Sequence, residues 1–89
     1  MKLFDALVNP YNGVYIGPEQ LPDTVAEFAG RLAASVEAWH HHYSLVWLEL
    51  PASRSELISV AVELGFAFHH CTADKLMLSK KLQADSYLP

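Results

Sequence analysis

Five histidines and a single cysteine are the residues of this 89-residue chain best suited to hold a metal. His40, His41 and His42 are consecutive, and His69 and His70 directly precede Cys71. Imidazole nitrogen and thiolate sulfur are the ligand types of zinc sites, yet the spacing is poor. Neighbouring strand residues project to opposite faces, which separates His69 from His70. Three successive helical residues fan around roughly 200°. The simpler expectation places His40–His42 at a helix C-terminus, where imidazolium suits the macrodipole. It also gives one strand histidine a buried hydrogen bond. Cys71 beside His70 has the residue types of an activated thiol, but no third, orienting group can be placed. A small buried hydrophobe is its expected role.

The carboxylates open to acid–base work are Asp5, Glu19, Asp23, Glu49 and Glu56. Asp23 and Glu56 fall where helices are expected to start, which explains them without chemistry. Glu49 interrupts the apolar run Leu45–Leu50 (LVWLEL). It is either a buried carboxylate of raised pKa or a strand-end residue with its head in water. Glu49, His69 and His70 are therefore the candidate functional polar positions. No residue is assigned a catalytic, cofactor-binding or metal role. Trp39 and Trp47 with Phe28, Phe66 and Phe68 contain the rings of a base-stacking platform, but their spacing suits a core. Gly13, Gly17 and Gly30 make no dinucleotide or phosphate-loop fingerprint.

The elements that must position these groups follow from periodicity. Lys2–Val8 and Gly13–Ile16 read as a hairpin around the turn Asn9–Gly13 (NPYNG), where Asn12-Gly13 supplies positive φ. Thr24 and Glu27 fit a capping box. Val25, Phe28, Ala29, Leu32, Val36 and Trp39 then form one helical stripe to about His41. Leu45–Leu50 is so continuously apolar that a central strand covered on both faces is expected, with Trp47 in the core. Pro51 ends it. Ser53 is expected to cap a second helix opposite Glu56, carrying Leu57, Ile58, Ala61, Val62 and Leu64, with Gly65 as its left-handed stop. Phe66–Cys71 and Lys75–Leu82 are the last strands, joined by a polar turn at Thr72–Asp74. The expected fold is α/β, α+β-like, with a single mixed five-stranded sheet in the order β-β-α-β-α-β-β. Residues 1–82 form one domain, and 83–89 are a tail or the start of a linker.

Composition narrows function further. The net charge of −4 and pI near 5.6 give no basic footprint for nucleic acid. No apolar run approaches the ~20 residues that span a bilayer. One cysteine allows no intrachain disulfide, which suits the cytoplasm.

The ordered set Val46-Trp47-Leu48-Glu49-Leu50-Pro51, Glu63-Leu64-Gly65-Phe66 and Phe68-His69-His70, continued by Lys75-Leu76-Met77-Leu78, resembles the pre-Nudix domain. That domain is the N-terminal module of a group of Nudix hydrolases. Asn12-Gly13-Val14, Leu21-Pro22 and Phe28 through Ser35 to Trp39 extend the resemblance upstream. It implies a fold like the C-terminal half of the Gcn5-related acetyltransferases, with the second and third strands parallel and the final strand between the third and fourth. It also implies a non-catalytic accessory domain with a structural, dimerising or substrate-positioning role. The partner would be a C-terminal Nudix catalytic domain, with a homodimer as a further reading. No nucleic-acid or membrane partner is expected. The Nudix box is absent, as is any Glu-Glu pair. The divalent metal would therefore belong to a downstream catalytic domain, and no cofactor is expected in this chain. The alternatives are a degenerate acetyltransferase-like enzyme or acyl-CoA-binding protein, although the acetyltransferase pyrophosphate turn is replaced by GPEQLPDT, and a small metal-binding protein using the histidines.

Overall fold

The structure is a computed structural model and describes residues 2–83. The expected tail at 83–89 thus lies, beyond Gln83, outside the described residues. The elements in chain order are β1 (Leu7–Val8), β2 (Gly13–Ile16), α1 (Val25–Trp39), β3 (Leu45–Pro51), α2 (Ile58–Glu63), β4 (Ala67–Cys71) and β5 (Lys75–Lys81), with 3-10 turns at Pro18–Gln20 and Ala52–Leu57.

The chain reverses between β1 and β2 where Asn12 takes a left-handed φ of 60°. Asn9 locks the turn: its Oδ1 accepts the backbone N–H of Tyr11 at 2.9 Å and of Gly13 at 3.0 Å. Gly13 is closely packed: a Cβ there would meet the Asn9 side chain at 3.1 Å and Trp47 Nε1 at 3.3 Å, so those side chains would have to give way slightly. The first strand is shorter than the sequence suggests. Leu3 to Asp5 leave the sheet because Phe4 turns into the core and its N–H donates to buried Ser35 Oγ at 2.9 Å.

Thr24 caps α1 by accepting the Glu27 N–H at 3.1 Å. The reciprocal half of the capping box is replaced by a Glu27–Arg31 ion pair at 2.7 Å, one helical turn along. Phe28, Leu32, Ser35 and Trp39 form the buried stripe of α1, while Val25 stays exposed. The second helix begins later than expected. Ser53 falls in the 3-10 turn with no side-chain cap, and Glu56 pairs with Arg54 at 2.8 Å. Arg54 Nη2 also donates to the Pro22 carbonyl at 2.8 Å, which fastens this turn to the α1 entry. Gly65 ends α2 at φ +95°, as the sequence predicts. Val62, expected on the buried stripe, is exposed.

The five strands form one mixed sheet in the order β1-β2-β3-β5-β4. β2 and β3 are parallel, with Val14 beside Val46 and Ile16 beside Leu48. β5 lies between β3 and β4 and runs antiparallel to both. This is the strand arrangement that the resemblance implies.

Val14, Ile16, Val46, Leu48, Leu50 and Leu78 leave one face of the sheet for the core. There they meet Phe28, Leu32 and Trp39 of α1, Leu57 and Ala61 beside and on α2, and Phe66. Burial of each large side chain stabilises by about 1.5–3 kcal/mol. Both helices therefore cover the same face. The alternate residues of β3, Trp47 and Glu49, are only half-buried on the other face, where the described residues place no helix. The expectation of a strand covered on both sides, with Trp47 in the core, is met on one side only.

Candidate functional site

The polar and aromatic groups of interest converge on that open face. Strand alternation puts them there: Tyr15 of β2 lies beside Trp47 of β3, and Glu49 of β3 lies opposite Met77 of β5. Leu7 of β1 extends the row beyond Tyr15. The face is thus a shallow surface of Leu7, Tyr15, Trp47 and Met77 around one carboxylate.

Glu49 is held from two sides. The Tyr15 hydroxyl donates to its Oε1 at 3.0 Å, and Lys75 Nζ stands 3.8 Å from the same oxygen. Its side chain is 16% exposed and that of Lys75 is 46% exposed. Burial, followed by the hydrogen bond to Glu49 and the charge of that carboxylate, pushes the Tyr15 hydroxyl up to about 12. A phenol held that firmly protonated serves as a hydrogen-bond donor, and the group as a whole is suited to recognition. The candidate position Glu49 is therefore an anchored acceptor on an aromatic surface.

His69 and His70 reach the same region by a route that simple alternation misses. The β4–β5 register shifts between Phe68 and His70, so one extra residue enters the strand. Such a bulge breaks the two-residue period and re-aims side chains. The His69 ring packs edge-on against Trp47 with centroids 4.7 Å apart, and the His70 ring is 5.3 Å from that of His69. Both histidines are exposed, so the expected buried hydrogen bond is not made. All of β4 is exposed, including Cys71, which is a free surface thiol and not a buried hydrophobe.

His40, His41 and His42 lie just past α1, which stops at Trp39 with His40 as its C-cap and does not run to about His41, and they belong elsewhere. His40 and His41, with ring centroids 4.6 Å apart, line a cleft of about 550 Å³ with Ala33, Val36, Glu37 and Leu64. Among the described residues no group of three or more His, Cys, Asp or Glu could hold a metal ion. The donor set of a divalent-metal hydrolase site is therefore not assembled by these residues.

Tyr15, Met77 and Lys75 are members of the face that residue type and spacing alone do not single out. The signal for Tyr15 was present: between Val14 and Ile16 in GVYI it must point away from the core that they enter. Lys75 and Met77 required the β3–β5 register, which no local pattern states.

A family model described as the Nudix hydrolase domain matches residues 4–82. Among curated proteins the chain is similar to Nudix hydrolase 8 of Arabidopsis thaliana, at 37% identity over 79 residues, covering 88% of this chain and 21% of that protein. It is 34% identical to Nudix hydrolase 10 of the same plant over 93 residues, covering 99% of this chain and 33% of that protein. Nudix hydrolase 7 is 30% identical over 79 residues, with 88% and 28% covered. The chain thus spans between 21% and 33% of the length of the curated relatives it matches.

Proposed function

This chain belongs to the Nudix hydrolase domain family, and we propose that within it the chain is a non-catalytic accessory domain with a structural or dimerising role. The carrying observation is the contrast between a match over residues 4–82 and the described residues, among which no group of three His, Cys, Asp or Glu could hold a metal ion. Hydrolysis of a nucleoside diphosphate linkage needs several carboxylates converging on a divalent metal beside the pyrophosphate. Here Glu49, a carboxylate anchored within the sheet, has Tyr15 and Lys75 as its partners. The relatives contain three to five times as much chain as the matched segment, and catalysis is assigned to that remainder. The free thiol at Cys71 suits a cytoplasmic setting.

The test is a turnover assay with purified chain, magnesium or manganese, and a nucleoside diphosphate sugar. No hydrolysis above a protein-free control is expected. Turnover that co-purifies with the chain and scales with its concentration would overturn the reading. A calorimetric titration with acetyl-CoA checks the acyl-CoA-binding alternative, for which micromolar binding is the required result.

A further inference from the structure

We propose that the cleft at the ends of α1 and α2 is a binding site for a small organic cation, an amine with an apolar body. The inference goes beyond the accessory role proposed above and does not rest on it. Its test reads binding and not hydrolysis, so either reading can fail alone.

The cleft is made by two helix ends. Ala33, Val36, Glu37, His40 and His41 follow one another at i, i+3, i+4, i+7 and i+8, so they share one side of α1 and of the turn that ends it. They run beside the buried stripe of Phe28, Leu32, Ser35 and Trp39. Leu64, the C-cap residue of α2, completes the lining. The volume of about 550 Å³ falls within the range of small-molecule pockets. An apolar surface of Ala33, Val36 and Leu64 with a few polar groups set into it is also the composition of such pockets.

Charge sets the sign of the ligand. Glu27 is paired with Arg31, Glu56 with Arg54 and Glu49 with Lys75. The Glu37 carboxylate, by contrast, has no ion-pair partner and no side-chain hydrogen bond among the described residues. It stands in the last turn of α1, which holds no basic residue. The C-terminus of a helix carries the negative end of the macrodipole and favours a cation within that turn. The last turn of α2 has no basic residue either, but Lys80 reaches Gly65 just beyond it. The end of α1 is thus the one left without a permanent cation. The His40 and His41 rings, with centroids 4.6 Å apart, border the same space and add aromatic surface. An ammonium against Glu37 meets the carboxylate and the helix end together, while its hydrocarbon body lies on Ala33, Val36 and Leu64. An anion would meet both with the wrong sign.

Two-dimensional amide NMR of the 89-residue chain tests this, with phenethylamine as the probe and phenylpropionate as its anionic counterpart. A pH of about 7.5, above the range in which histidine ordinarily titrates, makes Glu37 the charge under test. Saturable shifts centred on Val36, Glu37, His40 and Leu64 are expected, with a dissociation constant on the order of 1 mM for so small an amine. Phenylpropionate should bind at least about fivefold more weakly. Glu37→Gln should weaken phenethylamine binding about threefold. Ala33→Arg, which puts a cation into the cleft, should abolish the shifts. Glu27→Gln, which removes the same charge from the start of α1, should leave binding unchanged, and far-ultraviolet circular dichroism verifies that each variant is folded. No saturable shift at these residues up to about 20 mM amine overturns the proposal. So does phenylpropionate that binds as tightly as the amine, and so does binding indifferent to Glu37→Gln and Ala33→Arg. Equal weakening by Glu27→Gln and Glu37→Gln would reduce the effect to net charge and overturn it as well.

Discussion

The two faces of β3 are built from neighbouring residues and have opposite fates. Val46, Leu48 and Leu50 point to one side and disappear under α1 and α2. Trp47 and Glu49 point to the other and remain accessible at the centre of an aromatic surface. The backbone is the same, but one side is wholly aliphatic and covered by helices while the other pairs an aromatic ring with a carboxylate and has no helix over it among the described residues. The first face holds the domain together, and the second is left to be used. A residue's contribution to stability should therefore follow the face it occupies more than its size.

The largest effect tests the covered face. Leu48→Ala removes a side chain with no solvent exposure and pairs beside Ile16 and opposite Leu78. A loss of about 2–5 kcal/mol is expected, which is a large part of the stability of a domain this small. Chemical denaturation measures it. A loss below about 1 kcal/mol would break the comparison at its firmer end.

Gly65→Ala comes next. It forces a Cβ onto φ +95° and toward Lys80 Nζ, which already occupies that space. About 1–3 kcal/mol of strain is expected in the melting transition. A smaller effect would mean that the end of α2 relaxes freely and does not fix the edge of the covered face.

Trp47→Ala sharpens the contrast most. A buried tryptophan would cost about 3–5 kcal/mol. On the open face, where Trp47 is only partly buried, the expected loss is smaller, about 1–2 kcal/mol. A Trp47→Ala chain less stable than Leu48→Ala would show that the open face also holds the fold.

The smallest effect is a pH dependence. Folding raises the Tyr15 hydroxyl to about 12 from an ordinary value near 10. Its stabilisation is therefore complete below about pH 10 and is lost as pH rises through 10 toward 12. Ultraviolet difference titration should resolve this late phenolate, and Glu49→Gln should bring it to lower pH. A Tyr15 transition at the ordinary value would contradict the Tyr15–Glu49 hydrogen bond.

Much of this fold was legible because local rules and global packing agree. Thr24 marks a helix start and Gly65 a helix stop in any context that permits a helix there. The apolar run Leu45–Leu50 indicated a central strand. Its two-sided coverage was misread because hydrophobicity states that burial is favourable and does not state what supplies it. Ser53 failed as a cap because Arg54 and the preceding proline favour a 3-10 turn tied to Pro22. Lys2–Asp5 failed as strand because Phe4 is buried in the core and the N–H groups of Phe4 and Asp5 donate to the Ser35 and Gln20 side chains, which outweighs local propensity. The site was less legible than the fold. Glu49 stood out as a charge in an apolar strand, but its partners Tyr15 and Lys75 are 34 and 26 positions away in the sequence. His69 and His70 were placed on opposite faces by the alternation rule, which the bulge in β4 breaks.

Fluorescence of the two tryptophans tests the central contrast most directly. Trp39 is 5% exposed within the covered core, and Trp47 is half-buried on the open face. Trp39→Phe leaves Trp47 as the only reporter, and Trp47→Phe leaves Trp39. Trp47 emission should lie to the red of Trp39 emission and be quenched more strongly by acrylamide, because solvent reaches Trp47 and not Trp39. Trp47 emission as blue and as shielded as that of Trp39 would contradict an open second face of β3.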